Sequence, residues 1–432
     1  MPIAHVASLD QEGRGIARVG GKVVFIQGAL PGETVQYKLG RRNPRFDLAN
    51  VERVLHASSL REPPRCPHYA RCGGCSLQHL DPRAQVATKQ RVLEEALARI
   101  GKVQPESLLA PIHGSYWGYR HRARLSAKHV PEKGGVLVGF HERRVHRVVD
   151  MNSCAVLPPH ISALIRPLRE LLTALTTAHR IPQVEVAVGA FGDALTFRVL
   201  DPLAPTDLAA LRAFESRHAI DIYLQPAGVD SVHPLNGKAQ RQLAYRLPEF
   251  DITIKFEPAD FTQVNEGTNQ MLVRRAMAML EPQAGERIVD MFCGVGNFTL
   301  PIARSGAHVV GLEGSVALVK RAAQNARDNG LAENAKFAVA NLFTDAVSAM
   351  ARFGRIDRML IDPPRSGADA VIRAFPSDGL SRIVYVSCNP ATLARDAGVL
   401  VHEKGYRLLT AGVVNMFPHT SHVESVASFM RR

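Results

Sequence analysis

Cys388 has the setting of a nucleophile. It follows the apolar run RIVYVS and precedes Asn389-Pro390, so it leaves a strand at a sharp turn and faces whatever lies beyond the strand end. A thiolate is a strong nucleophile, and a polar or positively charged cleft favours its formation. Covalent chemistry of this kind also needs a base, for which Glu424 in His422-Val423-Glu424-Ser425 is the candidate. An inert core cysteine is the commoner fate of a lone thiol, and Cys293 is assigned that reading.

A second constellation is the segment Asp290-Met-Phe-Cys-Gly-Val-Gly-Asn-Phe-Thr, between an apolar strand and a helix. Gly294 and Gly296 permit a tight turn that lets a ligand approach backbone. Where a third glycine would complete a dinucleotide pattern the chain has Thr299, while Glu313 ends the next strand, where an acid can accept from ribose hydroxyls. An adenosine ligand without a diphosphate fits, which points to S-adenosylmethionine. The bland alternative is a glycine turn beside a surface glutamate. A sulfonium methyl donor gives the thiol a specific use. C5 of uracil is a poor nucleophile, but thiolate addition at C6 makes it enolate-like and able to take a methyl group; a base must then remove the C5 proton.

The third group is Cys66, Cys72 and Cys75, a C-x5-C-x2-C run on a Gly-rich loop, with Cys154 far along the chain. Four thiolates suit either tetrahedral zinc or an iron–sulfur cluster, and the spacing alone leans to zinc.

These residues need elements to position them. Residues 1–58 read as short strands broken by GG and PG turns, a small OB-like barrel whose Arg14, Arg18, Arg41, Arg42 and Arg45 favour nucleic acid over a purely structural role. The cysteine loop follows, then a helix from about Pro82 to Gly101 with Val86, Leu93, Leu97 and Ile100 on one face and Gly101 as its cap. The rest of residues 59–260 mixes strands and helices, an α+β unit with an antiparallel sheet. Residues 261–432 alternate strand and helix, the pattern of a parallel sheet covered on both faces. Such sheets bind ligands beyond the carboxyl ends of their strands, where Asp290, Glu313, Asn341, Asp362 and Cys388 fall in order.

The chain has 432 residues with 53 Lys and Arg against 40 acids, a formal charge of +13 that favours a polyanionic partner. Its 46% hydrophobic and 22% charged residues exclude a disordered tail or a small disulfide scaffold. No run approaches the roughly 18 apolar residues of a membrane helix. A soluble, cytoplasmic protein without a membrane partner is expected. Arg120, Arg122 and Arg124, interleaved with Tyr116, Trp117 and Tyr119, read as a strand face able to stack on bases and pair with phosphates, as do Phe140 to Arg144.

Taken together, SCNPATLARD, LIDPPRSG, MFCGVGNFTLPIA and FTQVN closely resemble the RNA uracil-C5 methyltransferase family over essentially the whole chain. The resemblance implies a class I, Rossmann-like methyltransferase domain with Cys388 as nucleophile and Glu424 as base. It implies S-adenosylmethionine contacts at Gln263, Phe292, Asn297, Glu313, Asn341 and Asp362, and a flipped target base. The N-terminal barrel resembles a TRAM domain, which points to the branch acting on 23S ribosomal RNA and carrying a [4Fe-4S] cluster on Cys66, Cys72, Cys75 and Cys154. It also implies that the helix near residues 80–105 packs on the catalytic domain, and that the protein is a monomer. Three other readings stay open: the same chemistry on transfer RNA, amino-group methylation (which shares the DPP turn but needs no cysteine), and a non-catalytic RNA-binding or ribosome-assembly protein.

Overall fold

The computed structural model describes residues 1–345, 350, 354–374 and 380–432. Glycine-bounded apolar runs form the first sheet: β1 (Ile3–His5), β2 (Ser8–Leu9), β3 (Gly15–Val19), β4 (Lys22–Gln27), β5 (Thr34–Arg42) and β6 (Phe46–His56). Their order is β1-β5-β6-β4-β3-β2, and alternating side chains bury Val24, Ile26, Val35 and Tyr37 in a core of their own.

Helix α1 (Pro82–Ala96) starts where the Asp81 carboxylate accepts from the backbone N–H groups of Arg83 and Ala84. It runs on as a π-helical turn, Leu97–Gly101, and ends on Lys102, which takes the left-handed cap conformation expected of Gly101. Gly101 serves a different need. A Cβ there would sit 2.3 Å from the carbonyl oxygen of Ala394, so the missing side chain lets α1 meet the helix Pro390–His402 at close range. Val86, Leu93 and Leu97 are buried as their spacing predicts, whereas Ile100 is exposed.

After β7 (Ser107–Leu108) the middle sheet follows, made of β8 (Arg122–Val130), β9 (Gly135–Gly139), β10 (Gln183–Val188), β11 (Asp193–Arg198), β12 (Asp221–Gln225) and β13 (His233–Pro234). Its order is β13-β12-β11-β10-β8-β9. It is not wholly antiparallel: β11 and β12 run parallel, because the helix Pro205–His218 crosses over between them. Beyond β9 the apolar stretch Val145–Val149 forms no strand, only an isolated bridge from His141 to Val148. All four clustered cysteines lie buried in this sheet's core.

The hairpin of β14 (Ala244–Leu247) and β15 (Ile252–Lys255) stands apart from the middle sheet. Its Tyr245, Leu247, Ile252 and Ile254 pack with the helix Glu266–Leu280 and the catalytic sheet, so a boundary at residue 260 cuts through one core. Likewise α1 lies within residues 59–260 but buries Leu93 and Leu97 in the last core. The large sheet adds β16 (Arg287–Met291), β17 (His308–Glu313), β18 (Ala335–Val339), β19 (Arg358–Ile361), β20 (Arg382–Ser387), β21 (Tyr406–Val414) and β22 (Glu424–Arg431). The order is β18-β17-β16-β19-β20-β22-β21-β7, with β16 to β20 parallel and β22 antiparallel to β20 and β21. No helix among the described residues is long and apolar enough to cross a membrane.

Gly101→Ala is expected to lower stability by about 1–3 kcal/mol, as overpacking against fixed backbone does, and thermal unfolding measures it. An unchanged midpoint would show that the two helices can part freely.

Candidate active site

Register places the chemistry. Parallel strands β16, β17, β19 and β20 end on one edge of the sheet, and antiparallel β22 begins there with Glu424 paired to Val414. A cavity of about 770 Å³ opens on that edge. Its lining includes Cys388 and Glu424 together with Gln263, Phe292, Glu313, Asn341 and Asp362. Asn297 does not line it. Its side chain exchanges hydrogen bonds with Asn269 and accepts from the Tyr245 hydroxyl, tying the glycine loop to the helix Glu266–Leu280 and the β14–β15 hairpin. Asp290 is likewise wholly buried, accepting from the Thr299 hydroxyl at 2.5 Å.

The loop after β16 bends through three positive φ angles, at Phe292, Gly294 and Gly296. Phe292 pays a steric cost there that glycine avoids. A Cβ on Gly294 would meet nothing, so its backbone faces open space. The Glu313 carboxylate accepts from Gly294 N–H at 3.2 Å and Ser315 N–H at 3.1 Å, joining the ends of β16 and β17.

Acids crowd this edge. Burial pushes Asp362 up to about 7, and burial, with Asp362 and Glu313 adding, pushes Asp290 up to about 8. Glu424 is raised well above the usual carboxylate range by burial and by Asp362, with Arg365 opposing. The Cys388 thiol is raised by burial, then by Glu424 and Asp362, again with Arg365 opposing. These surroundings work against a thiolate: burial and the neighbouring acids make both Cys388 and Glu424 hold their protons more tightly than they would in water.

Sequence reasoning did not select Phe261, Phe343, Arg365, Phe417 or His422, all of which line the cavity. Phe261 and Phe343 are 71% and 50% exposed. Arg365 directly follows the Asp362-Pro363-Pro364 turn and its guanidinium reaches His422 Nδ1 at 3.3 Å. The aromatic that opens FTQVN and the arginine that completes DPPR were the available signals.

The loop from Asn415 to Val423, which delivers Glu424, is held from behind. The buried Lys89 ammonium donates to Asn415 Oδ1 at 2.7 Å and to the Phe417 carbonyl at 2.8 Å. Gln85, one turn earlier on α1, accepts from His419 N–H, and its amide donates to the Leu77 and Leu80 carbonyls. Ser76 and Leu77 N–H both donate to the His419 carbonyl, and the Tyr119 hydroxyl donates to that of Pro418.

Cys66, Cys72, Cys75 and Cys154 line one small cavity. Among the described residues no group of three or more His, Cys, Asp or Glu is arranged to hold a metal ion. The thiols nonetheless feel one another: burial and then the neighbouring cysteines raise Cys75 to about 12, while burial with Cys66 and Cys72 helps to raise Cys154 to about 11. Arg143 donates to the carbonyls of Tyr69, Cys72 and Cys75, so it braces this loop instead of lying free for phosphate. The expected arginine face of β8 is also engaged. Arg122 is spent on the carbonyls of Pro258 and Asp260, Arg124 on Glu185, and Arg120 lies over Phe140.

An open, mostly parallel sheet with an acid-lined cavity at its strand ends defines the class I methyltransferase architecture. The whole fold superposes on a Pyrococcus abyssi tRNA (uracil-54, C5)-methyltransferase solved with S-adenosyl-L-homocysteine, with a TM-score of 0.76, 24% identity and 99% of each chain covered. The tRNA (Uracil-5-)-methyltransferase family model matches residues 239–432, and the TRAM domain model matches residues 4–46. The 23S rRNA (uracil(1939)-C(5))-methyltransferase RlmD of Aromatoleum aromaticum is 56% identical, and that of Azoarcus sp. 57% identical, each over 432 residues and 100% of both chains. The chain belongs to the RNA uracil-C5 methyltransferase family, and its first sheet is a TRAM domain.

Lys89→Met tests the strap behind Glu424. Burial lowers Lys89 to about 7 against an ordinary value near 10.4 in the unfolded chain. Between those values the unfolded chain binds the extra proton, so wild-type stability gains up to about 1.4 kcal/mol per pH unit from this group as pH rises. Denaturant titrations from pH 7 to 10 are expected to show that rise in the wild type relative to Lys89→Met. Parallel pH profiles would exclude it.

Proposed function

We propose that this protein transfers a methyl group from S-adenosylmethionine to C5 of a uridine in 23S ribosomal RNA through a covalent adduct on Cys388. The observation that carries the reading is the convergence of Cys388 and Glu424 on one cavity with the strand-end acids. The substrate follows from full-length relatives named for that reaction, with a TRAM domain and a net charge of +13 suited to RNA.

The cavity's residues fit the methyl donor. Glu313 and Asn341 offer acceptors to ribose and base, Gly294 offers open backbone, and Phe292, Leu318 and Leu342 offer apolar walls. Gln263 and Asp362 complete the set, while Asn297 acts through the loop it anchors. When bound, the donor supplies an electrophilic methyl on a sulfonium.

The chain's residues do the rest. Cys388 passes its proton to water and its sulfur bonds to C6 of the uracil, moving the ring electrons towards C5 and O4. C5 takes the methyl as the bond to the sulfonium breaks, leaving a neutral thioether. Glu424, as carboxylate, then takes the C5 proton, and those electrons reform the C5–C6 double bond and expel the sulfur. Asp362 acts on both partners as a like charge that keeps their protons until substrate arrives.

The four cysteines are proposed to hold a [4Fe-4S] cluster. Thiols crowded in one buried cavity gain when a cationic group displaces their protons. Bound there, the cluster supplies a rigid link between the Cys66–Cys75 loop and the Cys154 segment.

With RNA containing 5-fluorouracil at the target, which has no removable C5 proton, wild type is expected to form a denaturation-resistant adduct that Cys388→Ala cannot. Glu424→Gln should form it on normal RNA yet release product at least 100-fold more slowly, the scale of a lost general base. An active Cys388→Ala enzyme would end the proposal.

The raised Glu424 and Cys388 also predict a rate that climbs with pH through the neutral range, because both must shed protons. A profile flat from pH 5 to 8 would contradict it. For the cysteines, iron-type visible absorbance in anaerobically purified protein should vanish in Cys75→Ser; zinc content without absorbance would assign the other metal.

A further inference from the structure

We propose that the groove between α1 and the Ala110–Tyr116 segment is a second RNA subsite, holding one unpaired nucleotide of the substrate outside the catalytic cavity. The inference rests on the reading of this chain as an RNA-modifying enzyme and deepens it. The groove encloses about 540 Å³ and uses one face of α1, where Arg83, Ala87, Gln90 and Glu94 follow at helical spacing.

Three complementary groups face it. The rings of His113 and Tyr116 are near parallel, 16° apart with centroids separated by 6.3 Å, and form an aromatic platform at the groove wall. Every base has a face that stacks on such rings. Gln90 lines the groove and donates its amide to Glu94 Oε1 at 2.9 Å; its own Oε1 is buried with no partner among the described residues, an acceptor that rotation of the side chain would present to a base N–H. Arg83 has a side chain 90% exposed and comes no nearer than 3.7 Å to the Asp81 carboxylate, so its guanidinium is available to a phosphate.

A π-face, an N–H donor and a phosphate are the three features of one nucleotide, and the groove offers a partner to each. The groove is also joined to the catalytic cavity. The Tyr116 ring lies 6.2 Å from that of His419, in the loop whose next residues include His422 and Glu424. The arginines of β8 and Arg143, which the sequence had suggested for this task, are engaged within the protein. In the groove, by contrast, aromatic and basic side chains face outward together.

The test uses the full-length protein and a ribosomal RNA fragment that the wild type binds and methylates. Tyr116→Ala should weaken binding about tenfold, within the 1–3 kcal/mol of one base stack, with the loss falling on KM and not on kcat. Tyr116→Phe should keep wild-type affinity, which a fold defect would not allow. Arg83→Gln should reduce the slope of log Kd against log salt by about 0.7, the value for one phosphate on a single strand. Wild-type affinity in Tyr116→Ala together with an unchanged salt slope in Arg83→Gln would overturn the subsite while leaving the catalytic reading intact. A wild type that neither binds nor methylates any ribosomal fragment would overturn both.

Discussion

The arrangement at the sheet edge depends on one buried cation. Among the described residues Lys89 has no carboxylate partner; its ammonium is satisfied by an amide oxygen and a backbone carbonyl of the segment that leads into β22. Taking a charge out of water for two neutral acceptors costs several kcal/mol, and the depressed Lys89 value records that cost. What the cost obtains is position. Without α1 behind it, the Asn415–Val423 loop would lose its bonds at Asn415, Phe417 and the His419 N–H, and the end of β22 that carries Glu424 would be held less firmly against Cys388.

The second constraint is electrostatic. Asp290, Asp362, Glu424 and Cys388 are all raised, burial being the first cause of each and the charge of Asp362 adding to the other three. Among the causes that act on Glu424 and Cys388, the opposing charge is that of Arg365. On the proposed reading this row is matched to a cationic methyl donor. A sulfonium entering the cavity would lower the same values that the apolar surroundings raise, so the groups become reactive when the donor is present.

Much of this was legible in the chain. Strand–helix alternation identified the catalytic sheet because buried parallel strands must be apolar throughout. Polar residues closing those strands, Glu313, Asp362 and Cys388, then fell on one edge by topology alone. Three things were hidden. Glu424 reaches the cavity because β22 runs antiparallel beside β20, a pairing that no local pattern specifies. Lys89 was not selected, because a lysine on a helix carries no sign of burial even where it falls between Val86 and Leu93 on the apolar face. The β8 arginines read as an RNA face because sequence shows charge but not the carbonyls and carboxylates that claim it. Asn297 illustrates the same limit within a recognised motif: the residue type was selected, but its side chain turns to Asn269 and Tyr245.

The cysteine loop gains its meaning from what touches its far end. Leu77 packs with Leu9 and Leu30 of the TRAM domain and with Leu80, while its backbone N–H bonds to the His419 carbonyl. Arg61, just before the loop, donates to Glu33 and to the Gly28 carbonyl of the same domain. One short segment therefore fixes the TRAM domain to the rim that carries Glu424. An RNA gripped by the first sheet is in register with the catalytic cavity only as far as this segment is rigid, and its few backbone hydrogen bonds are weak individually. A group that cross-linked Cys66, Cys72 and Cys75 to Cys154 would stiffen the segment from the side of the middle-sheet core, beyond the small apolar contact at Leu77. Such a link would need no electron transfer; its contribution would lie in the geometry between the RNA-binding and reacting surfaces.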